Sequence, residues 1–217
     1  MMLSLIPMLI LSYLAGSFPT SIVVGKLFFR RDIRKEGSGN AGGTNSFRVF
    51  GWRAGLGVIL VDVGKGVLAA LALARLGAPS GLPSEALGLL AGSAAVVGHV
   101  WTIFAGFRGG KGVGTAAGAL FALSPLPAGL AALVFALVLL STGIVSLGSL
   151  AAALAFPLAL AGLGLVGLPQ SPWLLGFAVI LAPLIFFTHR ANIARLLKGE
   201  ENRFERLRIL GRLFSRH

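Results

Sequence analysis

Between residues 112 and 188 the chain carries no Asp, Glu, Lys, Arg or His, a run of 77 residues. One bilayer crossing takes about 20 apolar residues, so this run predicts several crossings. Turn-forming clusters divide it at Ser124-Pro125-Leu126-Pro127, at Ser141-Thr142-Gly143 and at 167–172. Four helices of about 19 residues result. The first, 113–124, is short for a full crossing; it is either tilted or continues from the glycine-rich loop before it. Upstream, 54–76 and 85–107 form two further apolar stretches, joined by the turn-rich Gly77-Ala78-Pro79-Ser80-Gly81-Leu82-Pro83. The N-terminal apolar run lacks a basic start and continues past Ala15-Gly16-Ser17, so it reads as a retained helix rather than a cleaved signal peptide. The pattern predicts an all-α integral membrane protein of about seven transmembrane helices, a single domain over 1–217.

The polar positions set the orientation. Six of the 19 basic residues fall in 30–53, two (Arg108 and Lys111) in the second polar segment, and eight in the tail from Arg190 to Arg216. Basic loops stay on the cytoplasmic side. With all three segments inside, an even number of crossings separates each pair: two, then four. The N-terminus is then outside, the C-terminus cytoplasmic, and 30–53, 108–114 and 189–217 line the cytoplasmic face. The tail interleaves Phe204, Leu207, Leu210 and Phe214 with Arg203, Arg206, Arg208 and Arg212, a pattern suited to an anionic leaflet.

Composition narrows the function classes. Apolar types make up 56% of the chain and charged types 12%, and mean hydropathy is +0.89. A soluble fold of this length has too much apolar surface to hide, and disordered chains are polar and charged. The absence of Cys excludes disulfides, thiolate metal sites and a Cys nucleophile. The net charge of +12 has no soluble basic domain to carry it, so no nucleic-acid partner is expected.

Chemistry concentrates in the polar segments. Segment 37–45 reads Gly-Ser-Gly-Asn-Ala-Gly-Gly-Thr-Asn. Its glycines permit positive φ, and successive N–H groups in such turns can form an anion-binding nest. Ser38, Thr44 and Asn45 add side-chain donors, and Arg48 adds a guanidinium suited to phosphate. Segment 107–115, Phe-Arg-Gly-Gly-Lys-Gly-Val-Gly-Thr, is like a Walker A loop but departs at Ala105 and Gly112 and has no sheet pattern around it. Gly109, Gly110 and Gly112 with Lys111 suggest a second anion site at a helix start. For both loops the alternative is a flexible connector whose charges fix topology. On a helix His189, Asn192 and Arg195 or Leu196 share a face. Asp62 and Lys65, at i and i+3 inside a span, read as a structural ion pair or a proton relay. His99 either supports the glycine loop or hydrogen-bonds a neighbouring helix.

Taken in order, the three segments resemble the bacterial acyl-phosphate:glycerol-3-phosphate acyltransferases. The family's G-S-G-N-P-G-A-T-N is similar to 37–45, its G-H-x-F-P-x-F-x-x-F-K-G-G-K-G-V-A-T to 98–115, and its H-R-x-N-I-x-R-L-x-x-G-x-E to 189–201. Departures are Ala41 and Gly43 in the first, and Trp101, Thr102, Arg108 and Gly114 in the second. The resemblance implies acyl transfer from acyl phosphate to the 1-hydroxyl of sn-glycerol 3-phosphate, giving lysophosphatidate and phosphate at the cytoplasmic face of a bacterial plasma membrane. It implies Ser38, Gly39, Asn40, Thr44, Asn45, Arg48, Gly109, Gly110, Lys111 and Gly112 as phosphate-binding. It implies His189 and Asn192 as a catalytic pair. Ser146 matches a polar family position near the reacting centre; its other reading is a helix cap. The expected partners are the two substrates and anionic lipid, with no metal or cofactor. The H-x-x-x-x-D acyltransferase pattern is absent, since Phe104 follows His99 and Ala194 follows His189 at that spacing. No acyl-CoA or acyl-carrier-protein donor is therefore expected. The competing class is a transporter of a phosphorylated or other anionic metabolite, built on broken helices.

Overall fold

The computed structural model describes residues 2–168 and 170–210. All regular structure among them is helical, with no strand. The chain divides into two compact units, Met1–Ser124 and Pro125–His217.

In the first unit α1 (Leu5–Ser17) and α2 (Thr20–Phe29) make one apolar stretch broken at Phe18-Pro19. Pro19 has no N–H with which to continue a helical ladder. The first basic loop contains a 3-10 turn, Ile33–Lys35, and then a short helix α3 (Gly43–Phe50). Next come α4 (Trp52–Leu71), a 3-10 segment over Leu73–Ser80, α5 (Ser84–Val100) and α6 (Val113–Leu123). Two expected boundaries move. The connector after the second span shrinks to Gly81, Leu82 and Pro83, because 3-10 structure runs through Ser80. The third span leaves α-helix at Trp101 rather than near 107. The carbonyls of His99 and Val100 there accept from the N–H groups of Gly110 and Gly109, both at 3.0 Å, so the loop folds back onto the helix end.

Small residues set the packing. A Cβ on Gly16 would stand 2.0 Å from Ala95 O, one on Gly66 1.9 Å from Thr115 O, and one on Gly118 2.0 Å from Val63 O. Backbones therefore meet directly between α1 and α5 and between α4 and α6, the close approach that membrane helices use in place of a hydrophobic drive. Met8, Ala69, Leu87, Ala91 and Ala95 fill the space between them. The two glycine loops share one end of the unit: Arg34 Nη1 donates to Ala105 O at 3.1 Å.

The second unit holds α7 (Pro125–Thr142), α8 (Val145–Leu165), α9 (Pro172–Thr188) and α10 (Arg190–Leu197). These boundaries fall at the predicted breaks. Thr142 Oγ1 accepts from Ile144 N–H at 3.1 Å to close the α7–α8 turn, and Ser171 caps α9 by accepting from Trp173 N–H at 3.2 Å. Pro169, within the predicted 167–172 break, lies outside the described residues, as do Arg212 and Phe214 of the tail. α9 and α10 meet at a 61° bend at His189.

Among the described residues five helical stretches are long and apolar enough to cross a membrane, and the bent α9–α10 pair makes up to six. With 11 residues, α6 is about 16 Å long, roughly half of a bilayer's hydrocarbon core. The shortness expected of 113–124 is thus real, and the preceding loop does not extend the helix.

Candidate active site

In the first loop Asn45 is the centre. It is 1% exposed. Its Nδ2 donates to the carbonyls of Ile33, Glu36 and Asn40 at 3.2, 2.9 and 3.1 Å, and its Oδ1 accepts from Ser38 N–H at 2.9 Å. Gly39 N–H donates to Glu36 O at 2.9 Å and Gly42 N–H to Asn40 O at 3.1 Å. Gly37 and Gly39 take φ of +57° and +70°, which lets the chain turn this tightly. The expected nest is corrected accordingly. The amides of Ser38, Gly39 and Gly42 and the side chain of Asn45 hold the loop's own shape. The side chains of Ser38, on the loop, and of Thr44 and Arg48, on α3, are half-buried. Asp32 and Arg34 brace the loop start, with Arg34 Nη2 2.7 Å from Asp32 Oδ2. The hydrogen bond from Arg34 lowers the Asp32 pKa to about 2. Arg31 pairs with Glu36. None of these pairs was singled out from sequence; the mixed-sign run 31–36 is their only trace there.

In the second loop, the expected amide donors Gly109 and Gly110 are likewise engaged, on Val100 O and His99 O. An anion site here therefore rests on Lys111 and on the start of α6, where Gly112, at φ +84°, forms the N-cap. First-turn N–H groups of a helix have no helical acceptor and face an anion favourably. The loop follows a helix and a 3-10 turn, not a strand, so the Walker A likeness does not extend to its context.

Behind both loops lies the polar cluster of α4. Asp62 Oδ1 accepts from Lys65 Nζ at 2.7 Å and from Thr20 Oγ1 at 3.0 Å; Lys65 Nζ also donates to Phe18 O at 2.6 Å. These contacts tie the pair to the α1–α2 break, where Phe18 O also accepts from Thr20 N–H at 2.9 Å, and they suit a structural role.

The second unit carries the expected catalytic pair. His189 is 2% exposed, and its Nδ1 lies 2.8 Å from Ile185 O. A carbonyl only accepts, so Nδ1 carries a proton, and Nε2 is then the nitrogen that is basic whenever the ring is neutral. Asn192 Nδ2 donates to Glu201 Oε1 at 2.8 Å, and Arg195 Nε to Glu201 Oε2 at 2.8 Å. Asn192 and Arg195 do share a face, and the chain turn at Gly199 brings Glu201 back to bind both. Glu201 was visible only as the last letter of a motif. Ser146 Oγ is buried with no hydrogen-bond partner among the described residues, and Ile144, not Ser146, is the N-cap of α8. The capping reading of Ser146 therefore fails. Gly143 O accepts from Phe204 N–H at 2.8 Å, which puts the α7–α8 turn and the start of the tail at one end of this unit.

No group of three or more His, Asp or Glu among the described residues is arranged to hold a metal ion. The loops of the first unit combine cationic side chains with helix starts, a set suited to binding phosphate, and in the second unit His189 presents an oriented imidazole, a group that can move a proton. The family model for glycerol-3-phosphate acyltransferase matches residues 6–199. The glycerol-3-phosphate acyltransferase of Chlorobium luteolum is 46% identical over 228 residues, covering 93% of this chain and 97% of that protein. That of Chlorobaculum tepidum is 47% identical over 225 residues with the same coverage. The crystal structure of PlsY (YgiH), an integral membrane glycerol 3-phosphate acyltransferase, in its glycerol 3-phosphate form, aligns with a TM-score of 0.81. It is 37% identical and covers 95% of this chain and 98% of that one. Its lysophosphatidic acid form aligns at 0.78 with 36% identity. By sequence, by fold and by the polar groups its loops present, this chain belongs to the glycerol-3-phosphate acyltransferase family and is an integral membrane acyltransferase.

Proposed function

We propose that the chain moves a fatty acyl group from acyl phosphate to the 1-hydroxyl of sn-glycerol 3-phosphate. The hydroxyl oxygen attacks the acyl carbonyl carbon, and an ester C–O bond forms. The C–O bond to the donor's phosphate breaks, and phosphate leaves with its electron pair. The hydroxyl proton passes to His189 Nε2 and then to released phosphate. Acyl phosphate is an activated mixed anhydride, so no covalent enzyme intermediate is needed; positioning and charge stabilisation suffice. The observation that carries this reading is the pair of glycine-rich cationic loops, each leading into a helix start, in a chain of this family.

In this reading Ser38, Thr44, Arg48, Lys111 and the Gly112 helix start bind substrate phosphate. Gly39, Asn40, Asn45, Gly109 and Gly110 give the loops their shape. Asn192, oriented by Glu201, and Ser146 assist at the acyl carbonyl. The chain works as one acyltransferase domain with seven membrane segments, α6 being the short one. The N-terminus is outside and the loops face the cytoplasm of a bacterial plasma membrane. The concentration of basic residues in these loops and in the tail supports this orientation, since basic segments stay on the cytoplasmic side. The test is a kinetic comparison of Arg48→Ala and Lys111→Ala with wild type. Each should lose about 10²-fold or more in kcat/KM, the size of a lost charge-assisted phosphate contact. Wild-type kinetics in both variants would remove the phosphate assignment.

A further inference from the structure

We propose that Asp62, Lys65 and His99 form a buried positioning cluster that holds the 109–111 loop in register through the His99 ring beneath Gly110. The inference rests on the reading of that loop as a phosphate site. Asp62, Lys65 and His99 are 5%, 6% and 7% exposed. His99 Nδ1 stands 3.7 Å from Asp62 Oδ1, too long for a hydrogen bond but close for charge and dipole. On its other edge the ring has no slack. A Cβ on Gly110 would lie 2.2 Å from His99 Nε2 and 2.9 Å from Ala41 O, and one on Gly109 would lie 2.0 Å from His99 O. One imidazole therefore meets the second loop directly, and the first loop meets the same glycine through Ala41. A small cleft lies among these groups, with Thr20 and Thr102 also on its wall.

A self-neutralising ion pair needs nothing beyond Asp62 and Lys65. Here the pair is tied further, to Phe18 O and Thr20, and so joins the α1–α2 break to α4. The Asp62 carboxylate then orients His99 on α5, and His99 supports the loop from which Lys111 projects. His99 does not reach substrate in this scheme; it is a positioning residue. Such a role is sensitive because an error of about 1 Å in a binding group costs about 10²-fold.

The test combines calorimetric titration of the purified full-length protein in detergent with steady-state kinetics. The probes are glycerol 3-phosphate and inorganic phosphate. His99→Leu and Asp62→Asn should each weaken binding of at least one probe about 10-fold or more, while kcat at saturating substrate stays within about 3-fold. His99→Gln, which keeps an amide facing Asp62, should recover most of that affinity. Gly110→Ala should bind poorly, and Gly110→Ala with His99→Ala should bind better than Gly110→Ala alone, because the ring that the new methyl strikes is gone. Unchanged affinities in His99→Leu and Asp62→Asn overturn the proposal. So does a fall in kcat with binding intact, which would make His99 a proton carrier. If His99→Leu does not fold, the Gly110 pair decides, and absence of suppression is the contrary result. A wild-type protein that binds glycerol 3-phosphate but transfers no acyl group would defeat the functional reading and leave this binding comparison valid.

Discussion

The backbone holds His189 in an orientation that suits the base role proposed for it. Its ring is buried at the bend between α9 and α10, and Ile185 O fixes the Nδ1 proton. General-base assistance contributes about 10²–10⁴-fold, so His189→Ala should lose kcat by that factor with a smaller change in KM, measured as phosphate release from acyl phosphate. Near-full activity would assign the proton to a donor phosphate oxygen instead. The residue types of this site were legible in the sequence, because glycine, arginine, lysine and histidine at those spacings have few other uses together. Their division of labour was not. Asn45 looked like a phosphate donor and proved to bind Ile33, Glu36, Asn40 and Ser38. Gly109 and Gly110 looked like an anion nest and proved to bind the end of α5. Spacing reports which groups are near one another along the chain, while hydrogen-bond partners depend on where the chain folds back.

At the scale of elements, the glycines separate into those that set packing and those that do not. Gly66 and Gly118 let α4 and α6 touch at the backbone, whereas nothing lies within 4 Å of a Cβ placed on Gly64. Gly66→Ala and Gly118→Ala should each destabilise the protein by about 1–3 kcal/mol, the cost of overpacking, or more where the backbone cannot move. Gly64→Ala should stay within about 1 kcal/mol of wild type. Thermal unfolding in detergent reads the difference, and equal melting temperatures for Gly64→Ala and Gly66→Ala would contradict this packing. The helix ends in the second unit were readable because Pro and Gly punctuate an otherwise uniform apolar run. The early end of α5 was not, since the residues that stop it, Gly109 and Gly110, act from beyond a turn. The Asp62–Lys65 pair was legible at i, i+3, but Thr20, Phe18 and His99 join it from other helices.

For the whole molecule, placement of charge carries more than its total. Sixteen of the 19 basic residues fall in three segments, and the proposed topology puts all three on the cytoplasmic side. The chain has no Cys, so single-Cys variants can be labelled without background. In intact cells an impermeant maleimide should label Ser84→Cys and leave Lys35→Cys and Lys198→Cys unlabelled until the membrane is opened. The reverse pattern would invert the topology. The transporter alternative, which rested on helix breaks and polar intramembrane residues, gives way to membership of an acyltransferase family.

The most direct measurement is turnover by purified protein in lipid, with acyl phosphate and sn-glycerol 3-phosphate as the sole substrates. The predicted result is equimolar lysophosphatidate and phosphate, with no product when acyl-CoA replaces acyl phosphate. Absence of product with acyl phosphate, or uptake of glycerol 3-phosphate into sealed vesicles without acylation, would contradict the account.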